Sequence, residues 1–146
     1  MGLEARVMVI VVMGGLVACG TAWSGGALEL RHQMVERHVY GISCESLLPL
    51  IDQRLWDEGY RDVEALEDGL GRQSDWVEGE DVAPHQRRVD IYYGGAERCA
   101  VHSVIREVEG GQVVERRDRD WEWELLREVE PDRANALAEQ ARAQGS

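Results

Sequence analysis

The sequence has no lysine, no phenylalanine and a single threonine, so all 16 basic residues are arginine. Without a lysine amine the chain can neither form a Schiff base nor use a lysine as general base. Without phenylalanine, an aromatic core must be assembled from the five tryptophans and four tyrosines. The one threonine is Thr21, and there is no G-x-S-x-G turn and no phosphate-binding loop. Cys-x-x-Cys and His-x-x-x-His spacings are also missing, and with them the usual local metal signatures. No catalytic residue, metal ligand or cofactor is therefore assigned, and the chain reads as a non-enzyme.

Positive charge is scarce as well: 28 acidic residues against 16 arginines give a formal charge of -12. A surface of that sign repels phosphate backbones, so nucleic acid is not expected as a partner. The pairs Arg87-Arg88 and Arg116-Arg117 sit among acids and read as parts of a mixed, solvated face. The length of 146 residues leaves room for one domain and a targeting segment.

An apolar run from Val7 to Val17 follows Arg6 and the amino terminus, in the charged-then-apolar order of a signal peptide. It falls short of the roughly 20 residues that span a bilayer as a helix. The residues that close it, Leu16-Val17-Ala18-Cys19, resemble the lipobox of bacterial lipoproteins. That resemblance implies cleavage before Cys19, lipid on its sulfur and a membrane as partner through that lipid. It also implies an envelope location, with the outer membrane favoured because Gly20, not Asp, follows the cysteine. Two or more acyl chains give stable anchoring where one gives only marginal binding. The expected organisation is then a signal peptide over 1–18, a lipidated tether over 19–26, an amphipathic helical spacer over 27–40 and one domain over 41–144.

With Cys19 assigned to lipid, Cys44 and Cys99 remain, and an exported compartment permits them to pair as a disulfide. A metal or thiol site built with His38 or His102 is the alternative. It suffers from the spacing of Cys99 and His102, which places them on opposite faces of a strand.

Leu30, Met34 and His38, flanked by Val35, recur at helical spacing in the spacer, and this apolar face is expected to pack on the domain, with grazing contact to lipid as the alternative. A second helix, capped by Ser43 or Ser46 and running to about Glu58, carries Cys44, Leu47, Leu48, Ile51 and Leu55 on one stripe, with Gly59 as its stop. Short runs separated by turn residues follow: Tyr60 to Leu66, Arg72 to Glu78, an acidic loop through Pro84, Arg87 to Tyr93, Glu97 to Val108 and Gln112 to Arg117. These predict an antiparallel meander. Val89, Ile91 and Tyr93 share one face of their strand and Cys99, Val101 and Ile105 one face of the next; both faces are expected against the helix. Asp118 or Asp120 caps a helix with Trp121, Leu125 and Val129 at its core, although the alternation of Trp121, Trp123 and Leu125 also fits a strand; Pro131 opens a last helix with an edge of Ala134, Leu137, Ala138 and Ala141. The fold class is α+β, a helix on a four- to five-stranded antiparallel sheet with C-terminal helices. The stretch from Leu55 to Trp76, with Gly59-Tyr60, Val63, Gly71 and Trp76, resembles the opening of BamC-like helix-grip modules of envelope lipoproteins, which implies a similar fold.

At most one of Trp121 and Trp123 is expected to face the core, leaving the other, with Glu122 or Glu124, as a candidate ligand contact. The function expected is a membrane-anchored, non-enzymatic interaction or structural module with an envelope protein as partner. The alternative is a binding domain for cell-wall glycan or another small ligand, using an exposed tryptophan.

Overall fold

One long hairpin forms the spine of the domain. In the computed structural model, which describes residues 23–145, β4 (Val82–Gly95) and β5 (Arg98–Glu109) pair antiparallel from His85↔Glu107 to Gly95↔Arg98. β6 (Gln112–Arg117) extends the sheet beyond β5, and β2 (Arg72–Gln73) and β1 (Glu64–Ala65) extend it beyond β4. β3 (Val77–Gly79) adds to the far end of β4. The described residues thus form an α+β domain with six strands, one more than the upper expectation. The extra strand arises because the run from Arg72 splits at Ser74-Asp75, where Ser74 bonds Arg87 through its backbone and hydroxyl and β2 gives way to β3. The acidic loop shrinks to a turn at Glu80-Asp81, and Pro84 joins β4 where the β3 register shifts, so its missing N–H breaks no regular ladder.

Alternation sets the buried face. Arg87, Val89 and Ile91 of β4 and Cys99, Val101 and Ser103 of β5 point inward, while Tyr93, expected on the same face, is exposed at the register shift that ends the hairpin ladder. Against this face lie α2 (Cys44–Asp57) and α3 (Arg119–Val129), with Leu47, Ile51, Leu55, Leu125 and Leu126 in the core. Ser43 caps α2, its hydroxyl accepting the Ser46 N–H, and Gly59 ends the turn beyond it at φ +93°, a backbone region that suits glycine. Cys44 in the first turn of α2 and Cys99 at the start of β5 form the disulfide, Cα to Cα 5.1 Å, both fully buried. The expectation that the two cysteines face one another across the helix and sheet layers is met.

The helix expected within 27–40 is α1 (Gly25–Glu36), and it packs on the domain as expected, but through a different stripe from the expected one. It packs on α3 and on α4 (Pro131–Gly145), and its buried stripe is Ala27, Arg31 and Val35, with Leu30 and Met34 only partly covered. Its first turn meets the end of α4 so closely that a Cβ on Gly26 would stand 2.6 Å from the Gly145 carbonyl oxygen. α3 is consequently covered on two sides, by the sheet and α2 within and by α1 and α4 without, so that Trp121, Glu122 and Trp123 are all buried. α4 presents Ala134, Leu137, Ala138 and Ala141 inward as expected, and their small side chains let helices approach. The stretch expected as a signal peptide and Cys19, the expected lipidation site, lie outside the described residues.

Candidate functional site

A strip of buried polar groups runs between the sheet and α3. Arg87, on the same face as Val89, donates from Nη1 to the Ser103 hydroxyl (2.6 Å) and from Nη2 to Asp118 (3.0 Å). It therefore leaves the solvated face on which its pairing with Arg88 placed it, since the strand alternates and only Arg88 points outward, to Asp90 and Glu115. Beside it Trp121 donates its indole N–H to Glu58 (2.7 Å). One position further along α3, Glu122 accepts the Ser103 amide at 3.2 Å and holds Arg117 through both carboxylate oxygens, each at 2.8 Å. That amide belongs to the edge of β5 that β6 no longer covers, because β6 begins its pairing at Val104 and turns into α3 at Asp118. Glu122 thus completes the ladder with a side chain. These groups pair mostly with one another, while the Arg87 Nε is buried without a hydrogen-bond partner, 3.9 Å from the Glu58 carboxylate.

Trp121 and Trp123, each 5% exposed, are core residues and not ligand contacts. Trp123 meets Trp23 edge to face, with the Arg31 guanidinium over both rings. Arg31 in turn donates to Asp120 at 2.6 Å. Glu122 is sealed with Arg117, so of the four candidate contacts only Glu124 reaches solvent, where it pairs with Arg127. Only Trp121 and Glu124 share a concavity, one of about 420 Å³ with Arg54, Glu58 and Glu128 on its walls, and Glu122 and Trp123 do not line it. His85 and His102 do not meet: His85 packs on Tyr60 and His102 on Tyr92. Burial, followed by the charge of Arg117, holds the His102 imidazole below its ordinary pKa.

A larger concave surface lies elsewhere. The seam between α1 and α4 opens into a groove of about 760 Å³ with Leu30, Met34 and Leu137 on its walls. At its closed end His38 donates from Nε2 to Glu130 at 3.1 Å, and the same carboxylate oxygen accepts the Gly41 amide. Tyr40 stacks edge to face on His38, and burial, aided by the Glu130 charge, holds its phenol protonated far above the ordinary range. Arg37 and Arg133 stand on the rim, and neither has a carboxylate within salt-bridge distance among the described residues. In a chain so rich in acids, two unpaired guanidinia on one groove are a feature that hydrophobic periodicity could not reveal.

A smaller concavity of about 290 Å³ lies at the end of α2. Trp56, on the outer side of that helix, is 57% exposed, the most open tryptophan among the described residues, and Arg61 lies 3.6 Å from its ring centroid. Tryptophan content could suggest such a platform, but which tryptophan it would be depends on packing.

Comparison with protein families, with curated proteins and with solved structures finds no match to this chain.

Proposed function

We propose that the protein is a lipid-anchored component of the bacterial envelope whose domain is a non-catalytic interaction module. The observation that carries this reading is the use of the cysteines. Cys44 and Cys99 are joined inside the core, a bond that persists in oxidising compartments, and the remaining cysteine is Cys19, at the end of the apolar run. The mature chain then begins a few residues before α1, and the α1–α4 groove lies near the tether. Its partner is an envelope protein that brings carboxylates to Arg37 and Arg133 and apolar side chains to Leu30, Met34 and Leu137.

Intact-mass analysis of protein extracted from membranes tests the anchor. The expected species starts at Cys19, carries acyl chains and holds the disulfide. Retention of residues 1–18, or free Cys44 and Cys99 thiols, would overturn it. Photo-crosslinking from Gln140 on the groove tests the module: one adduct of defined mass is expected in wild type and none in an R37E/R133E variant. An adduct indifferent to those charges removes the groove from the interface.

A further inference from the structure

We propose that the hollow beside Trp56 is a saccharide subsite that takes one neutral pyranose ring of a glycan. The assignment is independent of the anchor and of the α1–α4 groove. The Trp56 indole is already set in place: Arg61 covers one face of it, and the Arg61 guanidinium is itself held by donating to the carbonyl oxygens of Trp56 (2.8 Å) and Tyr60 (3.0 Å). With one face braced and the residue still 57% exposed, the other face is open to a ligand. A ring fixed in this way loses little rotamer freedom on binding.

What surrounds the shelf sets the ligand class. Asp52 and Arg72 form one wall, joined at 2.9 Å, and Asp62 forms another at φ +51°, the one positive φ outside glycine among the described residues. The two carboxylates and the two arginines, Arg61 and Arg72, cancel in charge, so the hollow is locally neutral on a strongly acidic protein. An ion of either sign gains little there. Hydroxyl groups gain more, because each can donate to a carboxylate oxygen or accept from a guanidinium. A protein hot spot would be expected to sit in an apolar patch with a polar rim. Trp56 is instead a single apolar plate ringed by planar polar groups, with Tyr60 and Val63 forming the base. A pyranose has a matching construction, an apolar C–H face for the indole and hydroxyls at its edge. The volume suits one or two sugar rings.

The test is a titration of the full chain, purified in a detergent without a sugar headgroup, with chitotriose, cellotriose and maltotriose, following the Trp56 indole N–H resonance in wild type and the Arg61 and Asp62 backbone amide resonances in wild type and variants alike. A saturable shift with at least one of the three at a millimolar Kd is the expected result, weakened about tenfold or more in W56A and largely kept in W56F. Because Trp56 is exposed, W56A should melt close to wild type, and if it fails to fold, W56F and the wild-type titration still decide. No shift with any of the three up to about 10 mM overturns the assignment. So does a shift that persists in W56A, or a Trp56 resonance that responds to an envelope protein and to no sugar.

Discussion

Tyr40 shows how one buried group can set a pH limit. Burial is the main reason its phenol stays protonated, and the Glu130 carboxylate adds to it. The folded protein therefore holds this proton more tightly than the unfolded chain, whose tyrosines ionise at about pH 10. Stability from this group is fully present below that pH and is lost as pH rises beyond it. Chemical denaturation from pH 8 to 11 should show wild type weakening more steeply than Y40F, and parallel curves would place the alkaline limit elsewhere. Glu122 carries a larger share of stability. Its carboxylate is 2% exposed and serves both Arg117 and the Ser103 amide, so its removal strands a donor on each side. E122A should cost about 3 kcal/mol in urea unfolding, and a cycle with R117A should show coupling of about 1 kcal/mol or more. Additive losses would mean the pair is not energetically joined. Neither residue was legible as core from the sequence. Apolar periodicity locates Val89, Ile91 and Val101, but it reads Arg87, Arg117 and Glu122 as surface, because a charge is buried only when tertiary partners meet it.

Helices were easier to read than the surfaces they bury. Ser43, Gly59, Asp118 and Pro131 mark their ends by local chemistry, which a sequence contains in full. The inward stripe of α1 is a different matter: Arg31 lies inside because Trp23, Trp123 and Asp120 receive it, and all three are far away in the chain or on another element. In the same way both tryptophans of α3 are buried because helices close on it from outside, which no pattern within α3 announces. Pro49 is the local conflict that the fold retains. It falls past the first turn of α2, where the missing N–H leaves the Glu45 carbonyl without its helical donor. Pro49 is exposed, so replacing it disturbs no packing. P49A should raise the unfolding free energy by about 1 to 2 kcal/mol, less than the full helix-interior penalty because proline also restricts the unfolded chain. A thermal melt unchanged or lowered would show that the bend at this point is needed.

For the molecule as a whole, the strongest constraint is the bond between α2 and β5. The helix begins and the strand begins at the disulfide, so one crosslink fixes the register of the helical layer on the sheet, and the backbone pairing of Tyr40 with Cys99 ties the incoming chain to the same point. The two cysteines are separated by 55 positions in sequence, and closing such a loop removes unfolded-state entropy worth about 4 kcal/mol in the chain-entropy model. Net stability for a domain of this size is about 5 to 15 kcal/mol, so the bond is a large fraction of it. Replacing both cysteines by alanine, which avoids burying hydroxyls in a core with no partners for them, should lower the unfolding free energy by about 3 to 4 kcal/mol and leave a folded but less stable protein. Dithiothreitol should act on wild type only, since in the double variant there is nothing to reduce. Equal stability of the oxidised wild type and the variant would mean that packing of Leu47, Ile51 and Val101 around the bond, and not the bond, sets the register. The same measurement bears on where the protein works: a domain that loses this much on reduction is suited to an oxidising compartment, which is what the proposed lipid anchor at Cys19 requires.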